Sequence, residues 1–122
     1  MRTIWTALIL VAVGDSNAAA HTHKPAERPP DLALTAIGRQ HHAIATKTQQ
    51  AQDYFDQGVT FIYGFNHEEA ERAFQQAAKL DPDSPMPLWG IALAVGPNYN
   101  MDVDATRERL AYQTLQKARK LA

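Results

Sequence analysis

A chain of 122 residues allows one domain at most. Its 45% hydrophobic and 20% charged content is ordinary for a soluble fold, and 12 basic against 13 acidic residues leave no basic footprint for nucleic acid. With no cysteine, disulfides, thiolate metal sites, Cys nucleophiles and CxxCH haem attachment are excluded, so the core must come from packing alone.

Arg2 begins the chain with a positive charge, and Ile4 to Val13 (IWTALILVAV) is an apolar run broken by Gly14. Ala18-Ala19-Ala20 supplies a small-x-small site. Together these form the tripartite secretory pattern, with cleavage predicted after Ala20. The run is too short for a bilayer span, which needs about 20 apolar residues. Residues 1–20 are therefore expected to direct a periplasmic or secreted product with no membrane span after cleavage.

His21 to Asp31 (HTHKPAERPPD) carries three prolines and several charges. It suits neither a helix interior nor a sheet ladder, and reads as a disordered linker over 21–31. Cleavage after Ala20 places His21 at a free amino terminus, where the amine and imidazole could bind copper with His23 as a further ligand. Copper uptake that His21→Ala fails to reduce would dispose of that site. Residues 32–50 form a lead-in. Within it His41 and His42 are adjacent, which on a helix would turn them about 100° apart, a poor geometry for one metal. His67 is the remaining histidine. The favoured expectation for the lead-in is packing on the first helix.

From Ala51 to Tyr63, apolar residues at Tyr54, Phe55, Val59, Phe61 and Ile62 fit an amphipathic helix better than a strand. Gly58 in its middle costs about 1 kcal/mol against Ala, and makes sense where another helix approaches closely. Gly64-Phe65 closes the helix. Asn66 is a good N-cap, and Glu69 three residues on can return the hydrogen bond as a capping box. Ala70, Ala73, Phe74, Ala77 and Ala78 line one face of a second helix that ends at Asp81-Pro82. Residues 51–84 thus have the length of one helix–turn–helix repeat of about 34 residues.

Counting Ala51 as the first position, Tyr54 is fourth, Gly58 eighth, Phe61 eleventh, Ala70 twentieth, Phe74 twenty-fourth, Ala77 twenty-seventh and Pro82 thirty-second. This register resembles the tetratricopeptide (TPR) repeat family, with Gln57 in place of the usual Leu at the seventh position as the one departure. The wording HH-x-I-x-T, YFDQG, FNHEEA, LDP and WGIA-x-x-x-GPN-x-N is similar to that of longer exported bacterial proteins of this family. The resemblance covers about residues 40–122. It implies an all-α fold, an antiparallel helix–turn–helix solenoid of about one and a half to two repeats, with a binding or scaffolding role and no catalytic residues.

Residues 85–122 read as a degenerate, interrupted second repeat. Pro85 and Pro87 suit a first helical turn, Trp89, Ile91, Ala92 and Val95 are expected to make a buried face, and Gly96-Pro97-Asn98 stops the helix. Asp104 is a plausible cap for a last helix over 105–121, in which Ala111, Leu115 and Ala118 repeat the spacing of Ala70, Phe74 and Ala77. The charged residues of this helix, Arg107 among them, read as a solvated face. About three repeats are normally needed to bury a solenoid core. The expectation is therefore that these residues are the front of a longer protein, or that the chain self-associates to cover its end.

In such repeats the first helix lines the concave face, and the resemblance places Gln52, Phe55, Asp56, Val59, Ile62 and Tyr63 there. None is the Lys, Arg or Asn that a carboxylate clamp uses. An apolar groove of this kind suits a partner's hydrophobic or helical segment, or the chain's own residues 32–46. The leading expectation is a non-catalytic protein–protein interaction module of the bacterial cell envelope, with no cofactor and a protein or peptide partner. One alternative is a periplasmic copper-binding protein using His21, His23, His41, His42 and His67. Another is the N-terminal fragment of a larger enzyme or scaffold, although no GxSxG, P-loop, HExxH or dinucleotide fingerprint is present.

Overall fold

The structure, a computed structural model, describes residue 38, residues 40–102 and residues 104–122. The export pattern over 1–20, the linker over 21–31 with His21 and His23, and the first part of the lead-in lie outside the described residues. Among those described the protein is all-helical: α1 (Gln49–Tyr63), α2 (His67–Leu80), α3 (Pro85–Val95) and α4 (Ala105–Leu121). No strand forms there beyond an isolated bridge between Asn98 and Met101 in the α3–α4 connection.

Local chemistry sets each helix start. The Thr48 side chain accepts from the Ala51 N–H and opens α1. Asn66 accepts from the Glu69 N–H at the head of α2, where Glu68 and Glu69 sit at the positive end of the dipole. The reciprocal half of the capping box does not form. The Asn66 N–H is already committed to the Phe61 carbonyl at 2.9 Å, and the Glu69 carboxylate pairs with Arg72. Pro85 starts α3, where the missing N–H costs nothing. Asp104 accepts from the Thr106 N–H at 2.7 Å and from Arg107, opening α4. The Thr106 N–H, followed by burial working the other way, leaves the Asp104 carboxyl below its ordinary pKa.

The end of α1 follows a Schellman pattern, with Phe65 N–H on the Ile62 carbonyl and Asn66 N–H on that of Phe61. Glycine usually takes the left-handed position of this motif. Here Gly64 has φ −83° and Phe65 takes the left-handed position, at φ 58°.

Each helix packs on the next in sequence, and α1 also touches α3. Phe74 of α2 is the centre of this stack. It is fully buried, with its ring centroid 5.3 Å from that of Phe55. A Cβ on Gly58 of α1 or on Gly90 of α3 would come within 2.5 Å of the Phe74 ring. Two glycines on two helices therefore let α1 and α3 close on one aromatic ring.

Two sequence expectations are corrected. Trp89 is not part of the buried face of α3: Pro87, Gly90, Ala92, Ala94 and Val95 are buried, whereas Trp89 is 39% exposed. Trp89 stands fifth from Pro85, one position beyond the place of Tyr54, fourth from Ala51, and that one-position slip turns it about 100° away from the inner face. Arg107 does not belong to a solvated face. It is half-buried, and its guanidinium donates to the Val95 carbonyl at 3.0 Å and the Ala94 carbonyl at 3.4 Å, satisfying the C-terminal end of α3.

Candidate functional site

Residues 40–47 carry no helix and run alongside α1 in the opposite direction. Alternate backbone N–H groups of this segment meet side chains one helical turn apart. Gln40 N–H donates to Thr60 Oγ1 at 3.1 Å, His42 N–H to Asp56 Oδ1 at 3.0 Å and Ile44 N–H to Gln52 Oε1 at 3.0 Å. Two extended residues rise about 6.6–6.8 Å and four helical residues about 6 Å, so the two repeats run nearly in step. The Gln52 amide also donates from Nε2 to the His42 carbonyl at 2.9 Å. One side-chain amide thus bonds the N–H of one residue and the carbonyl two residues before it, as a neighbouring parallel strand would.

The three rungs support one another. Asp56 Oδ1 also accepts from Gln52 Nε2 at 2.8 Å, and Thr60 Oγ1 donates to the Asp56 carbonyl at 2.9 Å. Asp56 Oδ2 lies 2.6 Å from His41 Nδ1, so this carboxylate holds both a backbone N–H and an imidazole. The His42 ring lies 6.2 Å from that of Phe55, and Ile44 packs against the core.

At its other end the segment is latched to the α2–α3 turn. Asp81 Oδ2 accepts from the Thr46 hydroxyl at 2.8 Å and the Lys47 N–H at 2.7 Å, and the Ser84 hydroxyl donates to the Ala45 carbonyl at 2.7 Å. The Lys47 N–H, then the Thr46 hydroxyl, hold the Asp81 carboxyl below its ordinary pKa. The Lys47 ammonium pairs with Asp83, which raises its pKa.

The six residues placed on the concave face of α1 separate by role. Gln52 and Asp56 hold the chain's own segment. Phe55 is fully buried against Phe74, while Val59 and Ile62 are half-buried on the core cluster. Tyr63 is 70% exposed at the end of α1. Of the histidines, His41 is engaged by Asp56, His42 lies on Phe55, and His67 is the first residue of α2. Among the described residues no group of three or more His, Asp or Glu converges where a metal ion could sit. Sequence reading missed Thr60, Asp81 and Ser84. The signal for Thr60 was the spacing of Gln52, Asp56 and Thr60, four residues apart on one side of α1. Asp81 and Ser84 carried only the marks of a turn.

Part of the surface of α3 is open. Trp89 and Leu93 stand fifth and ninth from Pro85 as Phe55 and Val59 do from Ala51, and α3 leaves both exposed, Leu93 by 42%. No family model, curated protein or solved structure matches the chain.

Proposed function

We propose that this protein is a non-catalytic interaction module of the tetratricopeptide type. It works in the bacterial cell envelope and binds a segment of a partner protein along the first helices of its two helix pairs. The register of residues 51–84 and the consecutive stacking of four helices support the repeat reading. The export pattern of residues 1–20 supports the location.

The observation that carries the proposal is the contrast between α1 and α3. On α1 the face around Phe55 is covered by an extended polypeptide, the chain's own residues 40–47. On α3 the corresponding positions, Trp89 and Leu93, have no such cover among the described residues. An aromatic and an aliphatic residue one turn apart provide an anchor for an apolar side chain of a partner. A Trp89→Ala/Leu93→Ala double variant is expected to keep its helix content and lose partner capture in a cross-linking pull-down. Capture equal to wild type would end this reading. Phe55→Ala is not a usable probe of the groove, because it opens the core beside Phe74.

A further inference from the structure

We infer that the face of α1, with the α2–α3 turn, is a backbone-reading site for an extended cationic segment. Residues 40–47 are its resident occupant, and a partner protein's segment of the same chemistry binds by displacing them. This rests on the interaction-module reading and specifies the partner on the α1 side.

The occupant is defined by what holds residues 40–47. Gln52, Asp56 and Thr60 bond backbone groups, which any extended chain offers, so they select conformation and not sequence. Side-chain selectivity comes from three further places. Asp56 receives an imidazole from the second residue of the segment, Ile44 packs an aliphatic group from the fifth, and Asp81 receives a hydroxyl from the seventh. Asp56, Asp81 and Asp83 line one side of the path and face His41 and Lys47 of the segment. The partner segment is therefore extended and cationic, with a basic residue second, an aliphatic fifth and Ser or Thr seventh.

The resident is suited to being exchanged. Gln40, His41, Ala43, Ala45 and Lys47 are exposed, and Ile44 and Thr46 are only half-buried. Little apolar surface ties the segment down, whereas the groups beneath it, Phe55, Gln52 and Thr60, are buried.

The test uses the full chain and a labelled peptide of residues 40–47. In an Ile44→Asp chain the resident is weakened and the receiving side chains are intact. The peptide is expected to bind this chain at least about tenfold tighter than wild type, since a larger fraction of sites is open. Asp56→Ala in the Ile44→Asp background is expected to abolish the gain. Circular dichroism checks that helix content holds. Should Ile44→Asp lose it, Thr46→Ala/Lys47→Glu loosens the resident at its Asp81 end and replaces it. Equal affinity for the loosened and wild-type chains, or a gain that survives Asp56→Ala, overturns the inference. So does a strand-exchanged dimer in which the loosened site takes up the segment of a second copy in preference to the peptide. If the peptide fails while Trp89-dependent capture persists, the inference falls and the module reading stands. If the peptide binds and Trp89→Ala/Leu93→Ala leaves partner capture unchanged, the α3 contact of that reading falls and the α1 site stands.

Discussion

Phe74 on α2 and Leu115 on α4 stand at the same spacing between flanking alanines, Ala70 and Ala77 or Ala111 and Ala118, and they meet different surroundings. Phe74 is enclosed from both sides, by Gly58 of the helix before and Gly90 of the helix after. Leu115 is 38% exposed, with α3 as the helix α4 packs on. The first helices differ in the same sense, since among the described residues the chain's own segment covers Phe55 while Trp89 is 39% exposed. Among the described residues the first pair carries α3 on one side and the segment 40–47 on another, whereas α4 of the second pair packs on α3. The helices of the second pair are also joined by a longer stretch of sequence, 96–104 against 64–66. Burial in a helical stack thus depends on a residue's flanking elements as much as on its type.

The contrast can be broken most directly at its centre. Phe74→Ala is expected to cost about 3–5 kcal/mol, and Leu115→Ala about 1 kcal/mol, by urea unfolding followed at 222 nm. Similar losses at the two positions would mean that the pairs are enclosed alike. Gly58→Ala and Gly90→Ala sharpen the same point. Each added methyl runs into the Phe74 ring, and an overpacking cost of about 1–3 kcal/mol is expected to outweigh a helix-propensity gain of about 1 kcal/mol. A rise in melting temperature for either variant would show that the helices can part without loss.

Phe65→Gly is expected to stabilise the turn of the first pair by about 1 kcal/mol, because glycine takes a left-handed φ without the Cβ penalty. In the second pair, Arg107→Ala removes the guanidinium from the last carbonyls of α3 and is expected to cost about 1 kcal/mol, read as a melting shift of a few degrees. A shift that Arg107→Lys restores in full would assign the effect to charge alone. The smallest effect is that of acid. The Asp81 carboxyl is depressed in the folded protein, so its contribution is present above the unfolded value of 3.8 and is lost as pH falls through the lower folded value. The protection of the Lys47 amide, taken as its exchange rate relative to the intrinsic rate at each pH, should therefore fall on acidification below pH 3.8, and Asp81→Asn should remove that dependence.

Helical class and the close approach at Gly58 were legible, because apolar periodicity and a mid-helix glycine are local signals. The partner ring at Gly58 was less so, and Gly90 carried no local mark, since only packing shows that both face Phe74. Trp89 was misread because an aromatic residue was taken as core without following its one-position slip around the helix. Arg107 was misread because its charge suggests solvent, while its long stem lets it reach back across the connection to α3. The histidines invited a metal reading from residue type alone. In the structure one of them meets a carboxylate and its neighbour an aromatic ring. The binding face of α1 was hidden for a different reason. Gln52, Asp56 and Thr60 are three of several polar residues on α1, and their purpose appears only when an extended segment with half their residue period lies beside them.

The side chains of that face shorten along the helix, from Gln52 to Asp56 to Thr60, while their bonds to the segment stay between 3.0 and 3.1 Å. They act as a wedge. The extended chain must converge on the helix axis toward Tyr63, so its inclination is written into side-chain length. Gly64, one turn past Thr60, has no side chain with which to extend the wedge. Exchanging Gln52 and Thr60 would conserve composition and reverse the slope. A segment lying on such a helix would have to tilt the other way, and the Thr46 hydroxyl would swing clear of Asp81.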